Sequence, residues 1–573
     1  MQGYTPDRLR HDLLAGIVVA IVALPLAMAF AIASGVTPER GLYTAIVAGA
    51  AISIFGGSRV QIGGPTGAMV AILSVIVVQR GVETLLLAGL VAGVMLILMG
   101  ALRAGMLIRF IPFPVTTGFT AGIAIIIFTG QINNALGLTA VPQHEQFHLN
   151  LLETFTRLPG LNPYAAATAA LSLAIVLLVP RVTRTVPGSF VGMIVATLVA
   201  GSLEWPVVTI GSRFGGIPRT LPWPHVPALS FSALLHVIQP AFTIAVLGAI
   251  ESLLSCVVAD AKTGDRHDPN KELIGQGIAN CLCPLFGGIP ATGAIARTAT
   301  NIRAGATSPV AGLVHALTLA AVMLFFAPWA GLIPLASLAP ILMVVAFNMA
   351  ELDQIRYIFK GTKSDITVLV STLLLTVFAD LTVAVEFGLL TAAVLFIKRM
   401  SDVHRIEKVL PDTADPKSKV RPVGDRLNDC PQAVILSVEG ALFFGAAQKF
   451  EREVLAPLGD ARTLVLRMAK VPVLDATGEQ ALRNIWRHCD KQRIALLVTG
   501  LQPQPRQILE STGLLSEIGE PNTFGRTGPA IDRAIARMDR HICARCPYSA
   551  FRECDDLKKA GELEINQHRQ EVG

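Results

Sequence analysis

The chain has 573 residues, of which 52% are hydrophobic and only 15% charged, and its formal net charge is +6. A soluble enzyme of this length is less apolar, so the composition favours a polytopic membrane protein with a soluble extension. The basic residues lie in short loops between apolar segments, which argues against nucleic-acid binding. We therefore expect neither an enzyme nor a nucleic-acid-binding protein.

The apolar segments predict fourteen membrane spans. Residues 12–33 are too long for a signal-peptide core and lack a cleavage site, so they begin the first span. Several later segments are shorter than the roughly 20 residues of an isolated span, so neighbouring helices must shield them. The predicted spans are 12–34, 41–56, 65–79, 84–101, 112–136, 163–180, 187–203, 233–258, 271–286, 292–302, 308–328, 332–349, 364–379 and 382–398.

The loops between these spans predict the orientation. With a cytoplasmic N-terminus, most loop arginines and lysines, such as Arg103, Lys271 and Lys398, fall on the inner side. Far fewer, such as Arg80 and Arg213, fall outside. The bias supports an even number of spans with both termini in the cytoplasm.

Two glycine- and proline-containing interruptions resemble each other. The first reads GGPTGA at 63–68, and the second reads GGIPATGAIAR at 287–297. They open the third and the tenth predicted spans, so the chain divides into two halves of seven spans with opposite topology. A helix N-terminus has unpaired N–H groups and a partial positive charge, so two such starts facing each other predict an anion site.

The residues at these helix starts are small or aliphatic, which lets backbone amides approach a ligand. The alternative is that they serve close helix packing. The repeated placement favours binding. The residues in question are Thr66, Gly67, Ala68, Gly293, Ala294 and Ile295.

Two ionisable residues inside apolar spans are candidates for function. Glu251 has Ser255 one helical turn further on, and a carboxyl group at that depth indicates a functional site, either a proton carrier or a sodium ligand. Arg297 lies one turn into the second broken helix, where it could hold an anion. A buried ion pair between Arg297 and Glu251 is the structural alternative.

The composition changes after residue 400. We assign 1–400 to a transmembrane transport domain and the charged, proline-containing stretch 401–430 to a linker. Alternating strand and helix patterns over 431–540 predict a small α/β domain, followed by a tail at 541–573. Thr477 lies at a strand-to-helix junction, as a helix cap or as a phosphorylation site.

The eight cysteines show no pattern of a secreted disulfide framework, so we expect thiols in a reducing cytosol. Cys543 and Cys546 form a Cys-x-x-Cys pair, and Cys554 follows. These three could bind zinc, but only one such pair is present, which favours free thiols. No metal and no cofactor is therefore predicted.

Several motifs together resemble the sulfate permease family, also called solute carrier family 26, and the soluble part resembles its C-terminal STAS domain. The resemblance covers the chain to about residue 540. The motifs are ALPLAMAFAIASGV from residue 23, GLYT from 41, GGPTG from 63, NKELIGQG from 270 and NIRAGATSP from 301.

This resemblance implies an anion transporter in the bacterial cytoplasmic membrane, usually a homodimer, in which a core domain moves against a gate domain. It places the anion between the third and tenth helix starts, with Phe30 as an aromatic wall. It assigns Glu251 and Ser255 to ion coupling and Arg297 to the pocket.

The cyanobacterial sodium-bicarbonate branch of this family has Asp at the position of Glu251 and no arginine at that of Arg297, so the chain is more similar to the proton-coupled dicarboxylate branch. We therefore predict a proton-coupled symporter of small anions: dicarboxylate, bicarbonate or sulfate. Sodium coupling, an exchanger or channel on the same fold, and a membrane-tethered STAS regulatory protein are the alternatives.

Overall fold

The computed structural model describes residues 4–105, 112–138, 141–142, 144, 146–183, 186–220, 222–225, 231–379, 381–403, 405–408, 430–548, 550–551 and 553–572. The chain divides into two compact units, Met1–Ala392 and Ala393–Gly573. Most of the predicted linker, at 409–429, lies outside the described residues.

The first unit is helical, and each of the fourteen predicted spans coincides with a helix or part of one. Seven described helices are long and apolar enough by themselves to cross a membrane. The helices are α1 (Pro6–Ala33), α2 (Pro38–Phe55), α3 (Gly67–Ala101), α4 (Phe113–Gly130), α5 (Ile132–Ala135), α6 (Phe147–Thr156), α7 (Pro163–Val182), α8 (Gly188–Ser202), α9 (Ile210–Phe214), α10 (Phe231–Thr263), α11 (Pro269–Leu285), α12 (Ile295–Arg303), α13 (Val310–Ala330), α14 (Leu335–Met349), α15 (Leu352–Phe359), α16 (Lys363–Phe378) and α17 (Leu381–Val403).

The third and fourth predicted spans are two arms of α3. Gly81 interrupts the helix with φ 79° and ψ 174°, a backbone conformation that side chains with a Cβ rarely adopt. The chain therefore turns at Gly81 without a separate loop. The break at Gly81 confirms the two predicted spans, although α3 is assigned as one continuous helix.

The broken segments pair with each other. Gly63–Gly64 forms strand β1 and Thr292–Gly293 forms strand β2, and the two are antiparallel with Gly63 opposite Gly293 and Gly64 opposite Thr292. Helix α3 begins at Gly67 and α12 at Ile295, directly after these strands. The predicted meeting of two interrupted helices is confirmed.

Glycines bring several pairs of helices in this unit into backbone contact, among them α3 with α11 and α4 with α16. Between α3 and α11, a Cβ at Gly93 would lie 2.7 Å from the Gly277 oxygen, and one at Gly277 would lie 2.6 Å from the Gly93 oxygen. Between α4 and α16, a Cβ at Gly118 would lie 2.5 Å from the Leu369 oxygen. Helices α1–α3 and α10–α13 thus form one bundle, the core bundle, and α4, α7, α8, α14 and α16 form a second, the gate bundle.

The second unit has a five-stranded sheet in the order β3-β4-β5-β6-β7, in which β3 is antiparallel to β4 and the remaining neighbours are parallel. The strands of this sheet are β3 (Arg405–Lys408), β4 (Ala433–Glu439), β5 (Thr463–Lys470), β6 (Ala495–Thr499) and β7 (Thr523–Phe524). The helices are α18 (Ala447–Leu455), α19 (Ala476–Lys491), α20 (Pro503–Ser511), α21 (Leu514–Ile518), α22 (Thr527–Ile535), α23 (Arg540–Ala544) and α24 (Cys554–Val572).

Strand β3 was not predicted, because its sequence RIEK is short and mostly charged and lies in the stretch assigned to the linker. It is an edge strand, where charged side chains are common. Between residues 527 and 544 the chain forms two short helices, α22 and α23. The helix cap at the start of α19 is Asp475, whereas Thr477 is exposed in the first turn.

We predict that Asp475→Ala weakens the second unit locally. Asp475 Oδ1 accepts from the Gly478 amide at 2.8 Å and Oδ2 from the Phe444 amide at 3.0 Å. Losing both should cost about 1–2 kcal/mol. Amide hydrogen exchange in the full-length protein should show reduced protection at the start of α19 and near residue 444. Asp475→Asn is the control that keeps an acceptor, and equal protection in wild type and Asp475→Ala would contradict the prediction.

Candidate functional site

The second broken segment is held by side chains of neighbouring helices. Asn280 on α11 donates to the Ala291 carbonyl at 2.8 Å and accepts from the Ala291 amide at 2.9 Å. Thr44 on α2 accepts from the Ile289 amide at 2.7 Å. These contacts satisfy backbone groups that a membrane helix would pair internally. Neither Asn280 nor Thr44 was predicted from the sequence, although polar residues within apolar spans were the available signal.

The carboxyl group of Glu251 joins the two broken segments. Its Oε2 accepts from the Thr66 hydroxyl at 2.8 Å and from the Thr292 hydroxyl at 2.9 Å. The two hydroxyl oxygens are themselves 3.0 Å apart. Thr66 precedes α3 and does not cap it with its side chain. The structure thus brings the predicted Glu251 and Thr66 together and adds Thr292, which the sequence analysis missed.

The other predicted coupling residue faces a different partner. The Ser255 hydroxyl donates to Thr298 Oγ1 on α12 at 3.3 Å, and Thr298 Oγ1 accepts from the Ile62 amide at 3.1 Å. Ser255 is fully buried. It therefore links α10 to α12 and to the residue before β1, and it does not bond to Glu251.

Two of the predicted ligand amides have protein acceptors. The Gly293 amide donates to the Ser252 hydroxyl at 3.0 Å, and the Ala294 amide donates to the Ile62 carbonyl at 2.8 Å. Gly293 also has no room for a side chain, since a Cβ there would overlap the Gln61 amide group. The first-turn amides, which have no acceptor within their helix, begin at Ile295 in α12 and at Gly67 in α3.

Arg297 crosses from α12 to the first broken segment. Its side chain is buried, Nη2 donates to the Pro65 carbonyl, and Nη1 has no hydrogen-bond partner in the described structure. No ion pair joins Arg297 to Glu251 among the described residues. The ring of His315 on α13 is also fully buried, and both its nitrogens lack protein partners. A buried guanidinium beside the paired strands thus retains one free donor group.

Gly67, Ala68 and Phe30 lie where the core bundle meets the gate bundle. A Cβ at Gly67 would be 2.7 Å from Met349 Sδ on α14, 3.3 Å from Phe30 Cε1 on α1 and 3.4 Å from Ile127 Cδ1 on α4. Ala68 is fully buried. The structure thus places Phe30 beside the first helix start, as predicted, and adds Ile127 and Met349 as neighbours.

A cavity of about 830 Å³ adjoins this place. Ile127 and the first turns of α3, at Val70 and Ala71, line it together with polar side chains such as Gln131 and Asn133. None of the predicted anion-binding or ion-coupling residues is among its described lining residues. The cavity is large enough for a hydrated small anion, and it reaches the side of α3 close to Gly67.

Residues 9–372 match the model of the sulfate permease family, and residues 426–530 match the STAS domain model. The chain belongs to the sulfate permease family. It is therefore a multi-pass membrane protein of an anion transporter family, with a C-terminal STAS domain. Membership in a family of transporters points to a protein that is not an enzyme.

Two bacterial members of the family are similar over almost their whole length. YvdB of Bacillus subtilis (strain 168), provisionally named a sulfate transporter, is 47% identical over 526 residues, covering 91% of this chain and 97% of the relative. The bicarbonate transporter BicA of Picosynechococcus sp. is 31% identical over 547 residues, covering 93% and 96%.

Solved structures of the family show the same fold. Murine Solute Carrier 26 family member A9, described as an anion transporter in the inward-facing state, aligns with a TM-score of 0.84 at 19% identity, covering 93% of this chain and 92% of that one. The transmembrane domain of a cyanobacterial BicA aligns with a TM-score of 0.59 at 29% identity, covering 67% and 98%.

We predict that Gly64→Ala destabilises the first unit of this member of the sulfate permease family. Gly64 has φ 151°, and a Cβ there would overlap Arg297 Nη1. The backbone strain and the displaced guanidinium should together cost about 1–3 kcal/mol. Thermal unfolding of the detergent-solubilised protein should show a lower midpoint. Gly201→Ala is the control, because a Cβ there meets no atom within 4 Å; equal midpoints for the two variants would contradict the prediction.

Proposed function

We propose that this protein is a proton-coupled symporter of small anions that works by alternating access. The observation that supports this most directly is the single carboxyl oxygen of Glu251 that accepts from Thr66 and Thr292, one hydroxyl from each broken segment. A change in the charge of that carboxyl group reaches both helix starts at once. Coupling ion and anion would therefore share one site.

The anion would bind at the two helix starts. The first-turn amides from Gly67 in α3 and from Ile295 in α12 are the donors, while Thr66, Ala68, Gly293 and Ala294 shape the space around them. Phe30 forms one wall. Backbone donors select charge and size more than chemical type, so sulfate, bicarbonate and a small dicarboxylate all fit. The names of the relatives favour sulfate or bicarbonate.

Arg297 would supply a full positive charge beside the anion. Nη2 donates to the Pro65 carbonyl, whereas Nη1 has no partner among the described residues and can donate to an anion. We therefore assign Arg297 to electrostatic attraction and direct hydrogen bonding of the anion.

Proton transfer to Glu251 would act through the hydroxyls. The deprotonated Oε2 accepts two hydrogen bonds, whereas a protonated carboxyl oxygen becomes a donor. The hydroxyl group of Thr66 or Thr292 would then donate its hydrogen bond to another acceptor, and a bound anion can be that acceptor. Ser255 would support this arrangement by fixing Thr298 and α12.

Sodium is the second candidate for the coupling ion. Glu251 Oε2 and the hydroxyl oxygens of Thr66 and Thr292 lie within 3.0 Å of one another, and oxygen ligands suit a hard cation. Uptake that requires sodium and ignores an imposed pH gradient would favour this ion.

The cellular setting of the proposal follows the family. We propose a homodimer in the bacterial cytoplasmic membrane with both termini in the cytoplasm, consistent with the basic loops. The STAS domain would then face the cytosol. Full transport after removal of residues 406–573 would show that this domain is dispensable for flux.

We predict that Glu251→Gln loses proton-driven accumulation. Glutamine can keep one hydrogen bond to the threonines but cannot exchange a proton. Proteoliposomes would be tested with labelled sulfate, bicarbonate and a four-carbon dicarboxylate, with and without an inward pH gradient. Wild type should accumulate one of these anions, and the variant should not exceed its equilibrium level.

Counterflow separates lost coupling from a misfolded protein. The Glu251→Gln variant should still exchange labelled for unlabelled anion, because the anion site is intact. Glu83→Gln, which changes an exposed carboxyl group on α3, is the matched control and should retain accumulation. Unchanged pH-driven accumulation in Glu251→Gln would overturn the coupling role.

We predict that Arg297→Lys raises the KM for the transported anion about tenfold, equivalent to about 1.4 kcal/mol. A lysine keeps the charge but cannot both donate to the Pro65 carbonyl and offer a second planar donor. Initial uptake rates over a range of anion concentrations give the KM. The control is Arg303→Lys at the exposed end of the same helix, and an unchanged KM in Arg297→Lys would remove Arg297 from the anion site.

A further inference from the structure

Four cysteines of the second unit surround one small cavity. Cys430 precedes β4, Cys543 lies in α23, Cys546 follows it, and Cys554 begins α24. All four line a cavity of about 20 Å³. Three of them belong to the C-terminal tail, but the fourth comes from a position more than a hundred residues earlier in the chain. We propose that these four thiolates bind one zinc ion.

Hydrogen-bond donors lie beside the cysteine sulfurs of this cavity. The Cys554 sulfur accepts from the Phe551 amide at 3.2 Å. Gln432 Nε2 reaches the Cys543 sulfur at 3.4 Å. Donors of this kind stabilise the negative sulfur of a metal thiolate and fix its direction.

The ligand set selects zinc. Four cysteines, two of them spaced Cys-x-x-Cys, form the tetrahedral set of structural zinc sites. All four are free thiols, and no disulfide links them. Among the described residues, no group of side chains has the distances of a metal site. Zinc binding would therefore move the four sulfurs towards one another as the thiols lose their protons.

A zinc ion here would fasten the C-terminal tail to the start of the sheet. The STAS match ends at residue 530, so α23 and α24 are an extension of that domain. Gln432 already holds the extension by accepting from the Asp539 amide at 2.8 Å and donating to the Asp539 carbonyl at 3.1 Å. Coordination of the ion by Cys430 and the three tail cysteines would add a further link between the extension and the sheet.

The full-length protein tests the proposal directly. It would be purified under reducing conditions with zinc present, then desalted, and its metals measured by inductively coupled plasma mass spectrometry. We expect about one zinc per chain. Cys430→Ser should reduce this to a small fraction, whereas Cys281→Ser, in the other unit, should keep it. No stoichiometric zinc, or equal zinc in Cys430→Ser and wild type, would overturn the proposal.

A second measurement uses only the wild-type protein, so it does not depend on whether a variant folds. Wild-type protein would be treated with a thiol-alkylating reagent before and after removal of zinc with a chelator, and the modified cysteines located by mass spectrometry. We expect all four cysteines to be protected by zinc and to react once it is removed. Equal labelling in both states, or a disulfide between two of the four, would overturn the proposal.

Discussion

Backbone that leaves a helix inside a membrane must find hydrogen-bond partners within the protein. At the centre of the first unit, polar side chains supply such partners. The two broken segments pair with each other as β1 and β2, and Asn280, Thr44 and Ser252 satisfy the backbone groups that this pairing leaves over. The helix starts are therefore held in place by the same contacts that make the interruptions tolerable.

Charge is placed in this centre under the same constraint. Glu251 is stabilised by two hydroxyls, and Arg297 by a carbonyl, yet the two are not paired with each other. A direct ion pair would neutralise both groups and leave little attraction for a solute. Keeping them apart costs stability but leaves a positive guanidinium and two helix starts to attract an anion. The separation is thus what the proposed anion site requires.

The sequence was sufficient for features that repeat or extend over many residues. Hydropathy located all fourteen spans, and the likeness of 63–68 to 287–297 indicated that two interrupted helices meet. It was insufficient for single contacts across long separations. Thr292 reaches Glu251 through strand pairing, and Cys430 approaches Cys543 only once the sheet is built. Strand β3 was not predicted because its sequence, RIEK, has no hydrophobic pattern. It becomes a strand only by pairing with β4 at the edge of the sheet.

The position of the site relates these local contacts to transport. Within the core bundle, α3 and α11 meet backbone to backbone through Gly93 and Gly277, a contact that tolerates little sliding. Between the bundles, Gly67 instead lies beside the side chains of Ile127 and Met349. Side chains can change rotamer and let one bundle move, whereas interlocked backbones cannot. A solute held at Gly67 therefore lies on the core bundle at its boundary with the gate bundle, where relative movement would change its access without dismantling the paired strands.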